Sequence, residues 1–544
     1  MGWRKLRILL GLLAVLAIGA AWASQRVLPR GRTFYASPDG GGSGTSRANP
    51  FHVRDFLELA QPGDTLYLLD GVYVGQLSML YATRPTSGTA GDPIVVKALN
   101  DGAVRFDGEG LRKPVYLGYA DYWILEGFDA CNSSESVVEL SYSNHCQIRR
   151  VCAWDAAEGN SVVFTVHFGD NNLLEDCAGW GRSRKIFSAS QNGNHTTFRR
   201  CFGRFEACIS VGNKMTFSVV YNNYDCLLEN CIATWDTSTG RMPEWYVLQD
   251  FDRKPFMRIP TDGVSLPGGG KLKGNYRPNG MQNGQPRWVD YYACDAYVYL
   301  WYSDGLGTWV VSEGSNSGPQ MRNYWVKQGG GGGPEGTYSP TDATSGNLTV
   351  ESCTYDNWRV GEGCGLFGAE GYWGEGWNED SRLRMRGCIA YLLADQRADA
   401  FPGLFFMTTT SEIDLEDCAS YVAPGAEGRY RNGRIRPYYL MPNRDDHDGT
   451  MGLAARNLTA VGPSSYIDRA WDVSSLLHHG AGPLPMERTA RGGANIHKRY
   501  VDGELTDQDL WPWPMDQRIH DAMLAGGCKD PISVTDTIRR ISSE

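Results

Sequence analysis

The chain has 544 residues, with 52 basic against 62 acidic side chains and a formal net charge of −10, which gives no electrostatic reason to expect nucleic acid as a partner. Its 66 glycines, 28 tyrosines and 17 tryptophans fit a soluble extracellular protein. Length alone would suggest three domains, with ample material for a core.

Residues 1–23 read as an export signal: Arg4, Lys5 and Arg7, an apolar run from Ile8, and Ala21-Trp22-Ala23 as a small-x-small cleavage site before Ser24. The uncharged run from Ile8 to Gln25 is also long enough to serve as an uncleaved anchor. Either way the body of the protein is expected outside the cytoplasm, secreted or periplasmic, with no second membrane span. Val53, Phe56, Leu57 and Ala60 follow helical spacing and predict a short helix that covers the N-terminal end of a core. Pro62-Gly63-Asp64 then turns into a strand over 65–69.

Ten tetrads follow with one pattern of apolar, charged, turn former, apolar: Leu125–Phe128, Ile148–Val151, Leu174–Cys177, Phe198–Cys201, Leu228–Cys231, Met321–Tyr324, Val350–Cys353, Met385–Cys388, Leu415–Cys418 and Ala455–Leu458. First and fourth positions would face opposite sides of a straight strand. A bend at the third position, mostly Gly, Asp, Asn or Ser, lets both point inward. The second positions read Glu126, Arg149, Glu175, Arg199, Glu229, Arg322, Glu351, Arg386, Glu416 and Arg456, alternating in sign throughout. Coils stacked about 4.8 Å apart would then place each charge between two of opposite sign. The spacings of 23, 26, 24, 30, 93, 29, 35, 30 and 40 residues fit a solenoid with loops of variable length.

The 93-residue interval, rich in aromatics that include Trp245 and Trp288, predicts a large excursion with a small sheet of its own around Ala296 to Tyr302. Of 14 cysteines, those at Cys177, Cys201, Cys231, Cys353, Cys388 and Cys418 take the fourth position, which favours stacked core thiols over disulfides. Leu510-Trp511-Pro512-Trp513-Pro514 and a helix from Asp516, with Ile519, Ala522 and Met523 on one face, predict a C-terminal cap.

The apolar-x-Asn-Cys corner resembles that of the right-handed parallel β-helix proteins of the pectin-lyase-like superfamily. The stretch from Thr33, with Gly91-Asp92-Pro93-Ile94-Val95-Val96-Lys97-Ala98, is similar to the opening of secreted β-helix proteins of the chondroitinase B and alginate lyase type. The resemblance implies an all-β, right-handed parallel β-helix over 33–490, with the insertion at about 235–320 and a capping tail over 491–544, expected to be a monomer.

It also implies that the loops and strands after the corner line a substrate groove. These hold Asp155 and Glu158, then Trp180, Arg182, Arg184 and Lys185, then Arg204 and Glu206, then Asp236. A cationic patch on an acidic protein suits an anionic polysaccharide. β-Elimination from a uronate needs its carboxylate neutralised by Arg or Ca²⁺, and a base for the adjacent carbon acid. The resemblance makes Lys185 the candidate base and Arg204 its catalytic partner. Arg182, Arg184, Trp180, Glu206, Trp245 and Trp288 are candidate substrate contacts, and Asp155, Glu158 and Asp236 candidate Ca²⁺ ligands. A polysaccharide lyase is thus the leading expectation, against a non-catalytic glycan-binding surface protein and a glycoside hydrolase.

Overall fold

The computed structural model describes residues 31–544 except 158–160, 208–213, 222, 237–255, 267–271, 291–296, 316–317, 330–331, 342–345, 354–364, 371–381, 399–402, 408–411, 429–434, 442–451, 529 and 544. The expected export signal lies outside the described residues. Among the described residues no helix is long and apolar enough to cross a membrane.

Alternating apolar residues make strands whose inward side chains line one continuous core. They form three long all-parallel sheets of twelve, ten and eleven strands among the described residues. The first sheet runs from Thr33–Ala36 to Asp472–Val473, the second from Leu80–Thr83 to Tyr466–Ile467, and the third from Gly71–Tyr73 to Leu476–His479. Each coil passes from the first sheet to the third and then the second, as in Trp123–Glu126, Asp129–Cys131 and Val138–Ser141. This is a right-handed parallel β-helix.

The bend sits where the tetrads place it. Gly127, Arg150, Asp176, Arg200, Asn230, Gly387, Asp417 and Asn457 all have φ between 48° and 81°. A left-handed backbone costs a non-glycine residue roughly 1–2 kcal/mol, so arginine there needs compensation. Arg150 Nε donates to Asp101 Oδ2 at 2.9 Å, and Arg200 donates to Asp176 Oδ1 at 2.7 Å and Glu175 Oε1 at 2.9 Å.

Two tetrads are not rungs. Met321–Tyr324 and Val350–Cys353 lie in the strands Gly318–Lys327 and Leu348–Cys353 of a closed eight-stranded antiparallel barrel that opens with Phe256–Ile259. There Arg322 is the partner of Glu313, and Glu351 of Arg258. The tetrad carries no strand direction, so an antiparallel ion pair imitates a parallel rung. Removing one basic and one acidic rung leaves the alternation intact: Glu229 pairs directly with Arg386, and Lys97 extends the ladder below Glu126. The barrel has its own core, including Tyr276, Trp288, Trp309, Trp325 and Tyr338. The excursion is therefore a folded unit, and its strand Tyr297–Ser303 is the sheet segment that the sequence suggests.

Cys177, Cys201, Cys231, Cys388 and Cys418 are buried and unbridged in a column at the corner. Their thiols donate to main-chain oxygens one coil below: Ile148 O at 3.4 Å, Leu174 O at 3.4 Å, Phe198 O at 3.3 Å, Leu228 O at 3.5 Å and Met385 O at 3.9 Å.

The helix Val53–Leu59 buries Val53, Phe56 and Leu57, and Phe56 meets Trp123 edge-on at 6.2 Å. The C-terminal segment runs back along the outer face of the third sheet. Its helices Asp516–Ala525 and Val534–Ser543 bury Ile519, Met523 and Ile538 against Cys152, Trp154, Trp180 and Phe202 in a second core. Arg518 Nη2 fixes this cover through Asp129 Oδ1 at 2.5 Å.

Candidate functional site on the second sheet

On the second sheet Phe164, Phe187, Phe217 and Phe367 stack inside the coil at successive centroid distances of 4.7, 4.7 and 5.0 Å. Side chains alternate along a strand, so Thr165 and His167 on Val162–His167 face outward. So do Ser188 and Ser190 on Lys185–Ser190, and Ser218 on Met215–Val220. An outward position on a solenoid is ordinarily wet. Thr165, Lys185, Ser188, Ser190 and Ser218 are nevertheless buried, and a buried polar group left unpaired costs about 1–3 kcal/mol.

His167 is the centre of this set. Its Nδ1 lies 2.6 Å from Ser190 Oγ and its Nε2 3.0 Å from Thr165 Oγ1. Burial pushes the imidazole below its ordinary range; the charge of Glu139 opposes that shift, while Lys185 and Lys113 reinforce it. The ring is therefore neutral at neutral pH. Lys113 Nζ lies 2.9 Å from Glu139 Oε2 and 3.0 Å from Glu135 Oε2. Burial alone would lower its pKa, but the two carboxylates outweigh it and hold Lys113 above the usual lysine range. Lys185 Nζ sits 5.5 Å from the centroid of the Tyr221 ring.

Lys185 is thus on this face, reached by a tight corner. Arg182 ends the third-sheet strand Ala178–Arg182, and Ser183 and Arg184 alone separate it from Lys185. Asp155 Oδ1 accepts the Arg182 N–H at 3.0 Å and lies 3.8 Å from its guanidinium. Gly181, at φ +93°, lets that carboxylate approach; a Cβ there would be 2.3 Å from Asp155 Oδ1. The Arg184 N–H donates to Ser161 O at 2.9 Å.

The other expected residues lie elsewhere. Arg204 does not join Lys185: it is on the outer face of the third sheet, buried, donating to Glu206 Oε1 at 2.9 Å and to Cys528 Sγ of the C-terminal cover at 3.0 Å. Glu206 is its partner and is wholly buried. Trp180 stacks on Trp154 at 5.0 Å inside the second core, so it offers no open ring face to a sugar. Trp288 is inside the barrel, 5.8 Å from Trp309. Trp245 and Glu158 lie outside the described residues. Asp155 and Asp236 follow third-sheet strands three coils apart, roughly 14 Å at the usual strand spacing, too far to share one ion. Among the described residues no group of three His, Cys, Asp or Glu side chains is placed to hold a metal.

Sequence reasoning missed His167, Ser190, Thr165 and the Lys113–Glu139 pair. A second repeat does mark this face: Phe164-Thr165-Val166, Phe187-Ser188-Ala189 and Phe217-Ser218-Val219. Its alternation of apolar and hydroxyl residues fixes the register that sets His167 beside Ser190.

No family model matches the chain and no curated protein does. Among solved structures it is similar to a rhamnogalacturonan lyase, at 14% identity and a TM-score of 0.45, covering 91% of this chain and 98% of that one. It is also similar to pectate lyase Pel9A, at 12% identity and 0.41, covering 83% and 80%. An alginate lyase from Paenibacillus sp. str. FPU-7 matches at 11% and 0.37, covering 82% and 98%. What the chain shows in its own right is the stack of three parallel sheets that makes a parallel β-helix.

Proposed function

We propose that the protein is a polysaccharide lyase that cleaves an anionic, uronate-containing polymer by β-elimination on the outer face of the second sheet. The observation that carries this reading is the burial there of Lys185 and a row of hydroxyl groups outside the hydrophobic core. Elimination needs a cation against the uronate carboxylate, so that the neighbouring carbon acid can ionise, and a group to take its proton. Lys185 supplies the first or the second, with Arg182 and Arg184 at the adjoining corner to bind further carboxylates. Ca²⁺ remains a candidate aid to carboxylate neutralisation. A hydrolase would need two opposed carboxyl groups; among the described side chains of this face Glu139 is committed to Lys113.

The reading includes export directed by residues 1–23 and action as a monomer. The test is to incubate the protein with polygalacturonate, rhamnogalacturonan and alginate, with Ca²⁺ and with a chelator, following the ultraviolet absorbance of the new double bond. A rising signal on one polymer, reduced at least about 100-fold by Lys185→Ala with the fold retained, is expected. New reducing ends without absorbance would replace the lyase by a hydrolase, and binding without cleavage would leave a glycan-binding protein.

A further inference from the structure

Ser190, His167 and Thr165 form an arrangement that β-elimination does not use. Three requirements define an activated serine: a hydroxyl within hydrogen-bond reach of a base, the base in its neutral form, and a third group that orients the base. Ser190 Oγ is 2.6 Å from His167 Nδ1, and Thr165 Oγ1 is 3.0 Å from His167 Nε2. When Nε2–H donates to Thr165, Nδ1 is left as the acceptor for the Ser190 hydroxyl, which is the tautomer a nucleophilic serine needs. The register makes the geometry reproducible: His167 and Ser190 are Cα partners on adjacent parallel strands, and Thr165 precedes His167 by two residues on the same face.

We propose that Ser190 is a nucleophile, activated by His167 and positioned through Thr165, that removes O-acyl groups from an acylated polysaccharide. Ser190 Oγ attacks the ester carbonyl and its proton passes to His167 Nδ1. The bond from the acyl carbon to the sugar oxygen breaks, and that oxygen leaves as a hydroxyl group with the proton from His167. Water then attacks the acyl-enzyme, giving a proton to His167, which returns it to Ser190 Oγ as the carboxylic acid departs. The sum is ester plus water to alcohol plus acid, with no co-reactant besides water. The charged groups that act on His167 are Glu139 from the preceding coil, Lys185 from the following strand and Lys113; Lys113 is paired with Glu139 and Glu135, so Lys185 is the cation assigned to the developing oxyanion. This activity is independent of whether the polymer backbone is also cleaved.

The experiment treats the full-length protein with a fluorophosphonate probe and maps the adduct by mass spectrometry, alongside hydrolysis of p-nitrophenyl acetate. The expected adduct is on Ser190. Ser190→Ala and His167→Ala should each abolish labelling and lower hydrolysis at least about 100-fold. Thr165→Val should lower kcat with KM unchanged, and, because it removes the acceptor that stabilises the protonated ring, should lower the midpoint of the acid limb of the pH–rate profile. That shift would not follow from a purely structural role. An adduct elsewhere, no adduct, or wild-type hydrolysis by Ser190→Ala would overturn the assignment. If Ser190→Ala does not fold, adduct mapping on the wild-type protein decides alone. Because neither readout involves the double bond formed by elimination, failure here and failure of the lyase reading are separate results.

Discussion

Arg199 Nε donates to Glu229 Oε2 at 2.7 Å, and the same guanidinium lies 3.5 Å from Glu175 Oε1 on the coil below. Both neighbours of Arg199 in the column are acidic, and Glu229 is wholly buried.

Reversing Arg199 to Glu would set three carboxylates in one column. Breaking a buried ion pair by removing one partner costs about 3–5 kcal/mol, and repulsion adds to it. Making Glu175 and Glu229 arginine in the same chain should recover part of the loss. Recovery is incomplete because each new arginine then faces Arg149 or Arg386. Denaturant midpoints of the single and triple variants test this; equal midpoints would show that the column does not act through charge.

The column also shows how far the sequence speaks. Apolar corner residues and alternating charges were legible because every coil repeats the same local demand: an inward pair, a left-handed bend, an outward charge. Direction and partner were not. Met321–Tyr324 satisfies the pattern through an antiparallel neighbour, Glu313, and only the closed barrel distinguishes that from a parallel rung. The position of Lys185 past the corner was legible because it begins a strand there. Arg204 could not be excluded, because what buries it is Cys528, distant in sequence, together with a cover whose docking face no repeat announces. His167 and Ser190 escaped because their relation depends on register between coils rather than on any motif within one.

The column thiols should be inert in the native protein. Burial pushes Cys177, Cys231 and Cys418 well above the ordinary thiol range, and it pushes Cys146, Cys152 and Cys226 elsewhere in the coils up to about 12. The thiolate is the reactive form. At Cys201 and Cys388 burial also raises the pKa, but the thiols stacked on either side outweigh it and lower both. These two are protected by access instead, since neither has any exposed surface. Among the described cysteines only Cys528 is partly exposed. A chromogenic thiol reagent should modify Cys528 quickly and the five corner cysteines only after denaturation. Rapid native labelling of Cys201 would contradict the packed column.

The barrel should fold alone. Its eight strands close on themselves, from Phe256–Ile259 against Leu348–Cys353, around an aromatic core, so no sheet edge depends on the coils. A fragment spanning 256–353 should show dispersed amide resonances and one cooperative unfolding transition. A molten fragment would mean that the coils supply part of its core.

Asp129 predicts an unusual pH dependence. Its carboxyl is buried beneath the C-terminal cover, and desolvation raises its pKa to about 6 despite Arg518 beside it. An unfolded aspartate titrates near about 3.9. The folded protein therefore takes up this proton at a higher pH than the unfolded chain does. Linkage then makes the group's contribution fully present below about pH 4 and lost as pH rises through about 6, a difference on the order of 1–3 kcal/mol. Between about pH 7.5 and 5 the wild-type protein should gain stability relative to Asp129→Asn, which cannot take up a proton there. Unfolding midpoints of the two proteins across that range decide the point: parallel curves would mean that Arg518 holds Asp129 ionised and that the cover is clamped by charge at every pH tested.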